Sequence, residues 1–113
     1  MHEMSLMESV LDIVEEEAKK AGATKVKAVR LDIGELSHVE PEAMRFCFDA
    51  VVRGTIAADA VLEIVRVPGQ GWCIDCCETV ALSERFGACP KCGNHRVQMT
   101  GGDDMRVAEL EVE

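Results

Sequence analysis

The chain opens on a helical period. Leu6, Val10, Ile13, Val14, Ala18 and Ala21 recur at helical spacing and stop at Gly22, the pattern of one buried helix face. Ser5 and Glu8 make an S-x-x-E capping box ahead of that stripe, so a first helix is expected from about Leu6 to Ala21. Glu15, Glu16, Lys19 and Lys20 take the other side. The lysines stand in the last turn, where the helix dipole favours cations, and the charge run reads as a solvated face. From Lys25 to Ile33 the period falls to two, with Val29, Leu31 and Ile33 alternating with Arg30 and Asp32 until Gly34, a half-buried strand. Pro41 suits the first turn of a second helix, on which Met44, Cys47, Phe48, Val51 and Val52 share a face before Gly54. Cys47 lies on that stripe between Phe46 and Phe48 and reads as a small packing residue. Val61 to Val67 is a second strand, closed by Pro68. At the far end Ala108, Leu110 and Val112 alternate with Glu109, Glu111 and Glu113, an amphipathic strand that needs a sheet to join.

Between these regions the pattern dissolves. Gly69 to Gly71 marks a hinge, and the stretch beyond it carries Cys73 and Cys76 in one C-x-x-C pair and Cys89 and Cys92 in another, twelve residues apart. Each pair bends the backbone so that two thiolates face one ion, and four sulfur donors favour Zn²⁺ over hard cations. Pro90 pre-sets a dihedral of the second knuckle and Gly93 supplies the positive φ its turn demands. Cys77 leaves an ambiguity, since Cys73 and Cys77 also have an allowed C-x₃-C spacing; Cys76 is the preferred ligand. A redox C-x-x-C opens a helix after a strand, which this Gly-rich segment does not offer. Four protein thiolates leave no open position for water or substrate, so the zinc reads as structural. Trp72, Ile74, Val80, Leu82 and Phe86 are the apolar residues expected to support it.

The segment shows no extended sheet of its own large enough to use the last strand, so that strand is expected to return to the N-terminal sheet. The fold class is then α+β. Residues 1–67 with 104–113 form a domain of two helices and about three strands, and residues 68–103 are inserted as a zinc-ribbon-like module. With 113 residues and four aromatics the chain holds one modest core, which makes a metal staple useful. A net charge of −9 repels phosphate backbones and argues against a nucleic-acid partner. The absence of an apolar signal peptide and of any 18-residue apolar run argues against membrane insertion and for a reducing cytoplasm, where disulfides do not persist.

On this reading Met1, His2 and Glu3 stand just outside the helix start as a free end. The α-amine, the backbone nitrogen of His2 and its imidazole can close small chelate rings around one ion, with Glu3 offering its carboxylate or its amide nitrogen. Such nitrogen-rich sets suit Ni(II) or Cu(II). Bulky His2 should leave Met1 untrimmed, so the amine is Met1's.

Met-His-Glu-Met-Ser-Leu at the start, the run Gly34-Glu-Leu-Ser-His-Val-Glu-Pro41-Glu, the two cysteine pairs with Pro90 and Gly93, and Gly102-Asp-Asp-Met-Arg-Val-Ala-Glu-Leu-Glu together resemble the HypA family of hydrogenase nickel-insertion proteins. The resemblance implies a cytoplasmic metallochaperone, not an enzyme, that carries Ni(II) as cargo. It implies a partner GTPase and delivery to the [NiFe]-hydrogenase large subunit, and some family members also serve urease. Carried over by residue, His2 is the nickel ligand with Met1 and Glu3 beside it, while Cys73, Cys76, Cys89 and Cys92 hold zinc. Cys77 departs from the family pattern. Family members differ in whether a histidine near the knuckles also approaches nickel, which makes His95 a candidate extra ligand and His38 a weaker one. Two other readings stand beside this one. A zinc-ribbon interaction module without nickel would leave the termini inert. A hydrolase using His2, His38 and Glu35, Glu40 or Glu42 lacks a nucleophile elbow, a phosphate loop or an H-E-x-x-H spacing.

Overall fold

A computed structural model describes residues 2–113. The described elements follow in the order α1 (His2–Lys20), β1 (Val26–Gly34), α2 (Pro41–Val51), β2 (Val61–Val67), β3 (Gln70–Cys73), β4 (Glu78–Ala81), β5 (Val97–Gly101) and β6 (Met105–Val112). The result is an α+β fold with two three-stranded sheets, β2-β1-β6 and β4-β3-β5.

Helix α1 begins at His2, one turn earlier than the capping box suggested. Ser5 is inside the helix rather than capping it. The first N–H groups of any helix lack intrahelical acceptors, so extension toward the terminus breaks no backbone bond. Glu3 in the first turn also suits the positive end of the dipole. The other end follows a Schellman pattern: Gly22 takes φ +68°, its N–H donates to Lys19 O at 3.0 Å, and Ala23 N–H donates to Ala18 O at 2.9 Å. Helix α2 has Pro41 in its first turn, and the Glu40 carboxylate accepts from Glu42 N–H at its cap.

Two compact units divide the chain. The first comprises Met1–Asp32, Glu40–Val65 and Arg106–Glu113. Its core is the α1 stripe of Met7, Val10, Val14 and Ala18, the α2 stripe of Met44, Cys47 and Phe48, and Val26, Val29 and Leu31 of β1, all buried. Strand β6 does return to β1. It runs antiparallel, with Gly34 N–H donating to Asp104 O at one end of the pair and Glu113 N–H to Lys25 O at the other. Asp32 is buried among polar groups, 3.2 Å from Arg30 Nε and 3.7 Å from Arg106 Nε, and Arg30 reaches on to Glu109.

The second unit comprises Ile33–Val39 and Arg66–Met105. Segment 33–39 joins it through backbone bonds from Glu35 N–H to Val67 O and from Leu36 N–H to Gly102 O, and through Arg85 Nε donating to Leu36 O at 2.8 Å. The segment 68–103 has a small sheet of its own, which the last strand does not join. Strand β3 pairs antiparallel with β4, Gln70 opposite Ala81 and Cys73 opposite Glu78, and with β5, Cys73 opposite Val97. These strands are four and five residues long, too short for an alternation to register. Gly71 is needed at its place: a Cβ there would lie 2.4 Å from Val97 Cγ1.

Candidate metal centres

The short sheet presents the thiols. Cys73 ends β3, a turn carries Cys76 and Cys77 into β4, and the loop from β4 to β5 returns Cys89 and Cys92. The four sulfurs of Cys73, Cys76, Cys89 and Cys92 lie within 4.8 Å of one another, the one group of three or more such donors among the described residues. Cys73 Sγ is 3.7 Å from Cys92 Sγ, and Cys76 Sγ is 3.9 Å from Cys89 Sγ. A tetrahedral ion with metal–sulfur bonds of about 2.3 Å would set sulfurs about 3.8 Å apart. The donor set therefore fits a four-thiolate metal.

The two pairs are built alike. Cys76 N–H donates to Cys73 Sγ and Lys91 N–H to Cys89 Sγ, each at 3.4 Å. Cys77 N–H donates to Cys73 O and Gly93 N–H to Cys89 O, each at 2.8 Å. Cys77 thus occupies in the first knuckle the place that Gly93 occupies in the second, with φ +53° against +79°. Its Sγ turns away to Ile74 O at 3.4 Å and is exposed, so Cys76 is the member of the cluster and Cys77 is outside it. A left-handed backbone costs a side-chain-bearing residue about 1–2 kcal/mol, and glycine loses about 0.5–1 kcal/mol more to backbone entropy. Cys77→Gly is expected to raise stability by a net of about 0.5 kcal/mol and leave metal stoichiometry unchanged, as read by thermal melting and metal analysis. Loss of the metal in that variant would move Cys77 into the ligand set.

Cross-links between the knuckles went unread in the sequence. Lys91 Nζ pairs with Glu78, Asn94 Nδ2 donates to Asp75 Oδ2 at 3.1 Å, and Arg96 reaches Asp75 at 3.3 Å. Asp75 and Lys91 hold matching places in the two C-x-x-C pairs, but their partners Arg96 and Glu78 lie outside those pairs, so the spacing carried no signal for them. The thiols themselves are unevenly poised. The backbone N–H groups of Cys92 and Lys91 bring the Cys89 thiol down to about 7, against the effect of burial. The hydrogen bond with the Cys92 thiol, together with burial, pushes Cys76 up to about 12. Four sulfurs in mutual contact cannot all ionise without a cation between them.

The supporting core is small. Cys73, Val80 and Cys89 cluster with Cys76 and Val97 around them, and Leu82 is buried. Trp72, Ile74 and Phe86, expected inside, are 42%, 48% and 92% exposed. Alternation along β3 turns Cys73 inward and Trp72 outward, so sulfur rather than aromatic carbon fills the centre.

The amino-terminal residues are placed differently from expectation. His2 and Glu3 belong to the first turn of α1 rather than to a free end, and Met1 lies outside the described residues. The His2 side chain is 63% exposed, with Nδ1 3.7 Å from Glu3 Oε2. The backbone N–H groups of Glu3 itself and of Glu40, with His2 nearby, hold the Glu3 carboxyl below its ordinary range despite partial burial. His38 is exposed, at φ +62° in the 33–39 segment. His95 is exposed in the β4–β5 loop, with Nδ1 3.4 Å from Phe86 O.

Fold and donor set together define a small α+β protein with a four-cysteine metal clip. A family model described as hydrogenase/urease nickel incorporation, metallochaperone, HypA matches residues 1–112. The chain is similar to the hydrogenase maturation factor HypA of Rhizobium leguminosarum bv. viciae, 63% identical over 112 residues covering 99% of each chain. It is similar to that of Dechloromonas aromatica (strain RCB), 59% identical over 113 residues covering all of both. Among solved structures it resembles the Ni metallochaperone HypA from Helicobacter pylori, with TM-score 0.71, 31% identity, and 97% of this chain and 96% of that one covered. The chain belongs to the HypA family. None of its described helices is long and apolar enough to cross a membrane.

Proposed function

We propose that this protein is a nickel metallochaperone of hydrogenase maturation, binding Ni(II) at its amino terminus and holding a structural Zn(II) on Cys73, Cys76, Cys89 and Cys92. The division of labour follows the chain: residues 1–67 with 104–113 handle nickel, and residues 68–103 hold zinc. The observation that carries the nickel reading is an exposed His2 at the very start of α1, in a chain that matches the family over residues 1–112. The first N–H groups of a helix have no intrahelical acceptor, so the His2 nitrogen can serve an ion without breaking the ladder. The Met1 amine and the His2 imidazole complete a nitrogen-rich set, with Glu3 beside it. A terminal chelate open to solvent also suits a carrier that must give its ion up again.

Zinc supports the fold rather than the chemistry, because four thiolates fill its coordination sphere. No substrate bond is broken, and the protein acts as a carrier rather than an enzyme. Its partners are a maturation GTPase and the [NiFe]-hydrogenase large subunit, in the cytoplasm, with urease as a second client class.

Nickel titration of the untagged, zinc-loaded protein tests this reading. Protons compete with nickel for an amine, an imidazole and an amide nitrogen. In water an imidazole titrates at about 6.5 and an α-amine at about 7.7–8.0. Affinity is therefore expected to fall steeply from pH 8 to pH 6. Constant affinity over that range would point to carboxylates, and no specific nickel binding at pH 8 would leave a zinc-bearing interaction module.

A further inference from the structure

Strand β6 is an edge. Among the described residues the order β2-β1-β6 leaves one of its sides without a neighbouring strand, over eight residues, Met105–Val112, that contain neither proline nor glycine. Beside it runs a groove of about 450 Å³, walled by Ile13 and Glu17 of α1, by Ala21 just after that helix, and by residues 107–110 and Val112 of β6. Successive side chains of a strand point to opposite faces. Because four consecutive residues of β6 line the groove, it follows the strand's edge rather than either face. Proteins commonly blunt such edges with proline, a bulge or a covering element. In β6 the visible device is charge.

That charge selects the occupant. Glu17 and Glu109 line the groove, Glu111 follows in β6 and Glu113 comes just after it. Lys20, Arg30 and Lys27 pair with the first three, but Lys20 is shared with Glu16 and Arg30 with Asp32. Arg106 is the only base of the strand, which leaves this edge net acidic. A second copy pairing edge to edge would bring two net acidic edges together, and about a two-fold at Leu110 it would set Glu109 directly against Glu111, which is unfavourable for opposed like charges. Apolar surface is nevertheless available: Ile13 is 47% and Val112 is 37% exposed, with half-buried Leu110 between the acidic positions. We propose that the α1–β6 groove docks an extended segment of a partner protein in which apolar residues alternate with lysine or arginine, added to β6 as a fourth strand. Main-chain hydrogen bonds along the edge supply affinity. Side chains of the added strand alternate likewise, so its apolar ones pack on the Leu110 side and its basic ones on the Glu109 side, with Ile13 and Glu17 as the facing wall of the groove. This inference does not rest on nickel binding.

The test uses the full chain, zinc-loaded and nickel-free, with the peptide acetyl-(Lys-Val)₄-amide as probe. Its controls are a Glu-Val counterpart and a Lys-Val peptide with one central valine replaced by proline. The Lys-Val peptide is expected to slow amide exchange along β6 by about tenfold or more, while the controls leave it unchanged. Ile13→Lys and the double variant Glu17→Lys with Glu109→Lys should each weaken that binding about tenfold without altering zinc content or circular dichroism. Both change exposed side chains. Equal binding of the proline peptide would reduce the effect to bulk charge and overturn the proposal. So would spectral changes confined to residues away from β6 and α1, or no protection at millimolar peptide. Protection of β6 that grows with protein concentration alone would assign the groove to a second copy instead.

Discussion

Serine at Cys73 or Cys89 is expected to abolish metal binding and unfold the second sheet, while the first unit keeps its helices. The two cysteines are fully or almost fully buried and are themselves the centre of the module's core, with Val80 as the apolar member beside them. Beyond the sulfurs the module packs little apolar carbon, chiefly Val80, Leu82 and Val97, and full burial of a Val or Leu side chain stabilises by only about 1.5–3 kcal/mol. A structural zinc contributes on the order of 10–16 kcal/mol to such modules. Loss of one thiolate from a closed four-sulfur site should therefore be decisive. Trp72, the chain's one tryptophan, adjoins Cys73 and is partly exposed, so its fluorescence reports on the module directly. Metal analysis should find less than one zinc per chain in the variant. Amide signals of β3, β4 and β5 should collapse while those of α1 and α2 persist. Retention of one zinc with the Gln70–Ala81 and Cys73–Glu78 pairing intact would show that the cluster is not the staple. Cys47→Ser serves as contrast, since Cys47 is buried on α2 and far from the cluster in sequence; it should leave zinc in place.

What the sequence made legible follows from the length of each pattern. The α1 stripe, the Val29, Leu31, Ile33 alternation and the strand at Val61–Val67 span enough residues for a period to declare itself, and all appear as elements. The paired cysteines were legible because ligand spacing is a local constraint of the chain. The second sheet was hidden because its strands are short and rich in Gly and Cys. Their pairing is set by the metal knuckles and by Gly71's close approach to Val97, neither of which has a hydrophobic period. The start of α1 was misplaced because Ser5-x-x-Glu8 is a cap only if the preceding residues leave the helix. Here the helix runs on to His2, which the local motif does not encode. The exposure of Trp72, Ile74 and Phe86 was hidden because hydrophobicity alone suggests burial: Trp72 sits on the outer face of β3, where alternation buries only every second residue, while Ile74 and Phe86 fall in turns, Phe86 at φ +59°. The distinction between Cys76 and Cys77, by contrast, could have been drawn from sequence. Gly93 marks the left-handed place after the second knuckle, and Cys77 is its counterpart after the first.

Placing residues before Met1, or changing His2 to Ala, is expected to abolish specific nickel binding and leave zinc and fold untouched. The two changes act on different donors. An extension converts the α-amine into an amide and removes a nitrogen that binds, whereas His2→Ala removes the imidazole that closes the chelate. The structure makes the fold a control for both. His2 is the first residue of α1 and its side chain is largely in solvent, while the packing stripe begins at Met7 and continues through Val10, Val14 and Ala18. Alanine is also the best helix former, so the variant should not loosen the first turn, and its stability should stay within about 0.5 kcal/mol of the native chain. Calorimetric titration with nickel, beside zinc analysis and thermal melting, separates the outcomes. Loss of nickel with one zinc retained and an unchanged melt supports the terminal site. Nickel bound as tightly by the extended chain as by the native one would remove the α-amine from the ligand set. Unchanged binding by His2→Ala as well would move the site away from the terminus, and His95 and His38, both exposed in the second unit, would be the next histidines to change.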